Sequence, residues 1–98
     1  MEVHEIKNKV GLVADLLKTM AHPERLLVLC QLMEGEVGAG QLQESSSLSQ
    51  SAFSQHLTVL RNKNLVSVRK ESQAVFYSLA EPRIAALITS LHSIFCEE

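Results

Sequence analysis

The sequence has no tryptophan, one tyrosine and three phenylalanines, so any core it builds is aliphatic. No apolar run approaches the ~20 residues of a membrane-spanning helix. The opening residues, Met1 to Lys9, carry no apolar stretch of the kind that centres an export signal. The expectation is a cytoplasmic chain with no membrane partner. Its two cysteines do not amount to a disulfide framework in that setting. There is no internal repeat, no glycine-rich phosphate loop and no nucleophile elbow. Ser54 and His56 are two apart on a helix and point to different sides, so a nucleophile with its base is not assembled. Neither an enzyme nor a cofactor is expected. At 98 residues the chain is one domain, 1–98, with a modest single core.

What the sequence does contain is a helix made to be presented, in the stretch SQSAFSQHLTVLRNKNLV from Ser49 to Val66. Ser49 suits an N-cap, with Leu48 and Phe53 at the positions of a hydrophobic staple. Phe53, Leu57 and Leu60 recur at i, i+4, i+7 as a buried stripe. Ser51, Ser54, Gln55, Thr58 and Arg61 form the opposite face, which is polar and almost uncharged. A solvated face ordinarily carries more Glu and Lys, whereas short amides and hydroxyls are groups that reach base edges in a DNA major groove. Asn62-Lys63-Asn64 ends the helix, since Asn tolerates the left-handed C-cap backbone.

Upstream, Val3 to Met20 reads as one amphipathic helix with a broad apolar face, enough for its own core and a second subunit. His22-Pro23 opens the next helix, in which Leu26, Leu29, Cys30 and Met33 are expected to face the core and Gly35 to end it. Val37 to Gly40 is a tight connection. Gln41 to Ser46 is a short helix anchored by Leu42, and the turn from Ser45 to Leu48 completes a helix-turn-helix pattern. Downstream, Val66, Val68, Val75, Tyr77 and Leu79 alternate with Ser67, Arg69, Phe76 and Ser78, the period of a two-stranded hairpin with a polar tip at Lys70–Ala74. Glu81-Pro82 opens a last helix, to about Cys96, with Ile84, Leu87, Ile88, Leu91 and Phe95 on its apolar face.

The net charge of −2 is unevenly spread. Residues 1–45 hold four Lys and Arg against seven Asp and Glu, a net −3; residues 46–80 hold four against one, a net +3; residues 81–98 hold one against three, a net −2. The positive excess sits on the presented helix and the hairpin, which suits a polyanion and is also what a solvated face can show by chance.

Helix, helix, helix-turn-helix, hairpin and helix is the order of a winged helix: mainly α with a two-stranded β-hairpin wing. The run Ser51-x-x-Ser54-Gln55-His56-Leu57-x-x-Leu60-Arg61, then Leu65-Val66, with Met20-Ala21-His22-Pro23-x-Arg25-Leu26 before it, resembles the ArsR/SmtB family of dimeric bacterial transcription regulators over essentially the whole chain. The resemblance implies a homodimer through the first and last helices, with the presented helix in the major groove and the wing near the minor groove. The partner it implies is a double-stranded operator, an imperfect palindrome with half-sites ~34 Å apart. Gln50, Ser51, Ser54, Gln55 and His56 are the candidate base contacts. Arg61, Lys63, Arg69 and Lys70 are the candidate phosphate contacts, with Gln73 at the wing tip. Two departures stand out: Asn64 where the family usually has Gly, and Ser72-Gln73 where many members carry Gly-Arg.

Many members of that family are metal sensors, and their ligand sets are absent here. Ala39 to Glu44 has no Cys-x-Cys, and Arg83-Ile84-Ala85-Ala86 offers no ligand at the start of the last helix. His92 and Cys96, at i and i+4, make at most half a zinc site, with His4 or His22 as further ligands, so no tight metal site is expected. A metal-responsive repressor and a winged helix that binds only protein are the alternative readings. The motifs Leu29-Cys30-x-Leu32 and Leu91-His92-x-x-Phe95-Cys96 resemble a two-cysteine, non-metal subgroup of biofilm and haemolysin regulators. That likeness implies a redox switch at Cys30 and Cys96 that answers sulfane sulfur or oxidants. Taken alone, Cys30 reads as a small core residue. His92 would favour a Cys96 thiolate, whereas Glu97 and Glu98 would oppose it and leave Cys30 as the attacking thiol.

Overall fold

The computed structural model describes residues 1–96; Glu97 and Glu98 lie outside the described residues. The elements in order are α1 (Val3–Lys7), α2 (Val10–Met20), α3 (Pro23–Gln31), a 3-10 turn (Leu32–Glu34), β1 (Val37–Gly38), α4 (Ala39–Glu44), α5 (Gln50–Asn62), β2 (Val66–Glu71), β3 (Ala74–Leu79) and α6 (Pro82–Phe95).

The core is aliphatic, as the composition requires. Its most enclosed side chains are Val28, Leu29, Leu42, Leu60 and Ile84, one or two from each of α3, α4, α5 and α6. Leu65, Val66 and Phe53 are buried beside them. Four helices therefore contribute to one core, and α5 is held with its inner stripe, Phe53, Leu57 and Leu60, buried.

Both ends of α5 match their sequence signals. The Ser49 hydroxyl accepts the Ala52 N–H at 3.2 Å. At the other end Asn64 takes φ 62°. The Leu65 N–H then returns to the Leu60 carbonyl at 3.0 Å and the Asn64 N–H to the Arg61 carbonyl at 3.0 Å, the paired bonds of a Schellman stop. Asn does here what Gly does elsewhere, because its short polar side chain tolerates the left-handed region.

Four expectations are corrected. The sheet has three strands in the order β1-β3-β2. Val37 pairs with Tyr77 and Gly38 with Phe76, and two residues are too few to show a strand period. The first helix is two helices, α1 and α2, separated at Asn8-Lys9. No residue of α1 is buried, so no packing in the monomer compels the helix to run on through Asn8, a weak helix former. In α3 the buried residues are Val28 and Leu29, with Leu32 just beyond. Cys30, expected in the core, is exposed, and Leu26 and Met33 are half-buried. Leu26 and Met33 pack on the edge of the core and, with Cys30, also line a groove against α6. In α6, Ile84 and Ile88 are buried, but Phe95 is 79% exposed and so stands outside the core.

Candidate nucleic-acid interface and thiol cavity

Helix α4 and the turn after it set the angle at which α5 is presented. The Gln43 amide donates to the Leu48 carbonyl at 3.1 Å. The Ser46 hydroxyl accepts the Leu48 N–H at 3.0 Å and donates to Glu24 of α3 at 2.6 Å. The turn is thereby tied to the start of α3. Sequence reading missed these residues, because the bond joins positions far apart in the chain and follows no local pattern.

On α5 the outer stripe is exposed as expected: Ser51, Ser54, Gln55, Thr58 and Arg61, with Gln50 beside it. The Thr58 hydroxyl donates to its own helix, to the Ser54 carbonyl at 2.9 Å. His56 stands apart from the stripe. It is half-buried, and its ring lies 4.1 Å, centroid to centroid, from that of His22.

The cations of the positive segment fall into two groups. Arg61 and Lys70 are exposed. Lys63 pairs with Asp15 of α2 at 3.4 Å, and Arg69 is held on three sides. Its Nε donates to Glu36 at 2.9 Å and its Nη2 to the same carboxylate at 2.8 Å. Its Nη1 donates to Glu71 at 2.6 Å, and its guanidinium sits 4.6 Å from the centre of the Phe76 ring. Hydrogen bonding to Glu36 and Glu71 raises the Arg69 pKa still further, and the same bond lowers that of Glu36. At the wing tip Ser72 adopts φ 56°, and Gln73 is exposed beside it.

Cys30 and Cys96 line one cavity of about 620 Å³ between α3 and α6, with Leu26, Met33, Ile88, Leu91 and Phe95 as its apolar walls and Glu34 and His92 at its edge. Both cysteines are free thiols. Cys30 is exposed as a residue, but partial loss of water at the cavity wall pushes its thiol up, and Cys96 adds to this. The opposing effect foreseen from Glu97 and Glu98 lies outside the described residues. Among the described residues no group of three or more His, Cys, Asp or Glu is arranged to hold a metal ion. Among the described residues no helix is long and apolar enough to cross a membrane.

A helix-turn-helix with its second helix presented, packed on one aliphatic core with α3 and α6 and followed by a hairpin, defines a winged helix DNA-binding regulator. Residues 22–68 match the family described as bacterial regulatory protein, arsR family. The chain is 42% identical over 97 residues to the transcriptional activator HlyU of Vibrio cholerae serotype O1, covering 99% of this chain and 90% of that protein. The crystal structure of the transcriptional repressor BigR from Xylella fastidiosa superposes with a TM-score of 0.92 at 38% identity, over 100% of both chains. A homodimeric winged helix-turn-helix DNA-binding domain from Mycobacterium bovis superposes with a TM-score of 0.74 at 25% identity, over 87% of this chain and 79% of that one. The chain belongs to the ArsR family: it is a transcription regulator and not an enzyme.

Proposed function

We propose that the chain acts in the cytoplasm as a homodimer on an imperfect palindrome in double-stranded DNA. Its affinity is switched by a link between Cys30 and Cys96, a disulfide or a sulfur chain, formed in response to sulfane sulfur or oxidants. The observation that carries the switch is that both thiols line one apolar cavity. The M. bovis structural neighbour is homodimeric, and the exposed apolar faces of α1, α2 and α6 support the same assembly here. HlyU is named an activator and BigR a repressor, so the switch is described as a change of DNA affinity rather than as repression.

The chemistry is that of two thiols in sequence. With a peroxide, one thiolate attacks the O–O bond, becomes a sulfenic acid and releases water. The second thiol then displaces that hydroxyl as a second water, and the disulfide forms. With a polysulfide, the first thiolate attacks a sulfur of the chain, an S–S bond breaks, and the rest of the chain leaves as hydrosulfide or a shorter polysulfide. The second thiolate then attacks the persulfide or polysulfide so formed, and the bridge closes with loss of hydrogen sulfide. The raised Cys30 pKa disfavours Cys30 as the thiolate that attacks first. A direct bond needs Cα atoms within about 7 Å, and inserted sulfurs relax that limit. The link would tie α3, which lies under the helix-turn-helix, to α6. A coupling of 1–3 kcal/mol changes DNA affinity ~5–150-fold.

The test is mass spectrometry of the native protein before and after polysulfide, with DNA affinity measured on both samples. Cys30→Ser and Cys96→Ser are each expected to bind DNA and to lose the response. A single variant that still releases DNA with the wild-type dose dependence refutes the two-cysteine switch. A winged helix that binds only protein calls for an apolar or acidic outer face on α5, which Ser51, Ser54, Gln55, Thr58 and Arg61 do not provide. A mobility shift with the chain's own upstream region separates that reading from this one.

A further inference from the structure

Between α3 and α5, away from the thiols and the wing, the His22 and His56 rings stand 4.1 Å apart at an interplanar angle of 40°. A proton on either ring undoes something the fold uses. His22 is the N-cap of α3, and its Nδ1 accepts the Glu24 N–H at 3.1 Å. Only an unprotonated nitrogen accepts, and a charged ring there would face the positive end of the α3 dipole. His56 is packed against α3 from the presented helix. Loss of water on packing lowers its pKa first, and His22 and Arg25 lower it further, while Glu24 opposes them. Arg25 supplies a permanent charge, and its Nε is buried with no hydrogen-bond partner.

We propose that the His22–His56 contact is a proton-sensitive joint: two neutral rings seat the recognition helix on α3, and acidification charges His56 against the ring that caps α3 and loosens α5. Among the charged groups around the joint, Glu24 alone favours a proton on His56, and loss of water, His22 and Arg25 together outweigh it. On α3, the Glu24 carboxylate is engaged by the Ser46 hydroxyl at 2.6 Å. On β2, which also packs on α5, Arg69 and Glu71 are bonded to each other, and Arg69 also to Glu36; Lys70 is exposed. On α2, Asp15 pairs with Lys63 beyond the end of α5; on α4, Glu44 is exposed.

The direction follows from linkage. The folded chain holds the His56 pKa below 6.5, so the unfolded chain takes up the proton first. Stability is unaffected well above that value, falls as the pH drops through it, and the loss is complete below the folded-state pKa. The unfolding equilibrium constant rises about tenfold for each pH unit over which protonation is held off.

The experiment is thermal unfolding of the full chain between about pH 8 and pH 5, for wild type, His22→Asn, His56→Gln and the double variant. Asn keeps a capping acceptor that does not titrate. Each single variant is expected to flatten the pH dependence, with non-additive effects in the double variant because one contact is shared. His4 and His92 remain in all four proteins and cancel. Parallel profiles overturn the joint. If His22→Asn does not fold, imidazole NMR of the wild type decides, and a His56 ring that titrates at or above 6.5 overturns it.

A second arm rests on the DNA-binding reading. With a mixed-sequence duplex at fixed ionic strength, acidification is expected to weaken binding, and less so in His56→Gln. Tighter binding on acidification, the result for a ring that meets a phosphate directly, overturns the joint. No binding at any pH counts against the proposed function, while the unfolding profiles still decide the joint.

Discussion

Arg69 on β2 reaches Glu36, just before β1, across the intervening strand β3, with two hydrogen bonds of 2.9 and 2.8 Å to one carboxylate. The guanidinium a winged helix would offer to phosphate is therefore already neutralised from within the sheet. Glu36→Gln is expected to leave the melting temperature nearly unchanged, since exposed ion pairs contribute only ~0–1 kcal/mol. It is expected to tighten DNA binding and steepen its salt dependence, by up to about one unit in the log–log slope. Arg69→Ala is expected to weaken binding evenly across sequences. If Glu36→Gln leaves the salt slope as it was, Arg69 does not reach DNA.

On the outer face of α5, Gln55 is exposed and belongs to the exposed polar stripe. Gln55→Ala is expected to cost on the order of 1–3 kcal/mol with the operator and to relax specificity at one position. Equal losses on operator and mixed-sequence DNA would reassign Gln55 to backbone contact.

How far the sequence carried these conclusions depended on whether a signal was local. The caps of α5 at Ser49 and Asn64 and its stripe Phe53, Leu57, Leu60 are all readable within one helix, and all hold. The burial of Leu29 was readable and the exposure of Cys30 was not: the two lie about 100° apart round the helix, and how much of that arc the core covers depends on where α6 lies. Strand β1 is too short to show a period. The Arg69–Glu36 and Ser46–Glu24 bonds join residues far apart in the chain, and nothing in either segment alone announces the other. Phe95 fits an apolar helix face, but its sequence position does not say whether that face meets the monomer's own core.

The wing tip contains a correctable strain. Ser72 holds φ 56°, a conformation that costs an L-residue roughly 1–2 kcal/mol. Ser72→Gly removes that cost and adds unfolded-state entropy of about 0.5–1 kcal/mol, for an expected net stabilisation of a few tenths to about 1 kcal/mol by chemical denaturation. Ser72→Val, β-branched, is expected to destabilise. A destabilised glycine variant would show that the Ser72 side chain contributes something its backbone does not reveal.

Zinc is expected to have little effect on the DNA complex. His92 and Cys96 present two donors one helical turn apart, short of the three or four protein ligands of ordinary zinc sites. Titration of zinc into the complex is expected to leave DNA bound at concentrations where metal-sensing relatives respond. Stoichiometric release that disappears in His92→Ala would revive the metal-responsive reading.

The last prediction concerns assembly. Phe95 is 79% exposed and Ile94 69%, and Val3, Val10, Leu12 and Leu17 of α1 and α2 are also exposed. Scattered apolar side chains on a monomer need no explanation, but extended exposed patches mark interaction surfaces. Removing them from water against a second copy is worth roughly 25 cal/mol per Å², and a charged group placed in such a seam is costly. Phe95→Lys is accordingly expected to shift sedimentation from twice 10.8 kDa toward the single chain. With only one presented helix per particle, the avidity of two half-sites is lost, and operator affinity is expected to fall ~10²–10⁴-fold. Contacts of α5 with a single half-site are expected to survive. A wild-type protein that sediments as a monomer at micromolar concentration, or a Phe95→Lys variant that remains dimeric with full operator affinity, would place the two-fold interface elsewhere on the molecule.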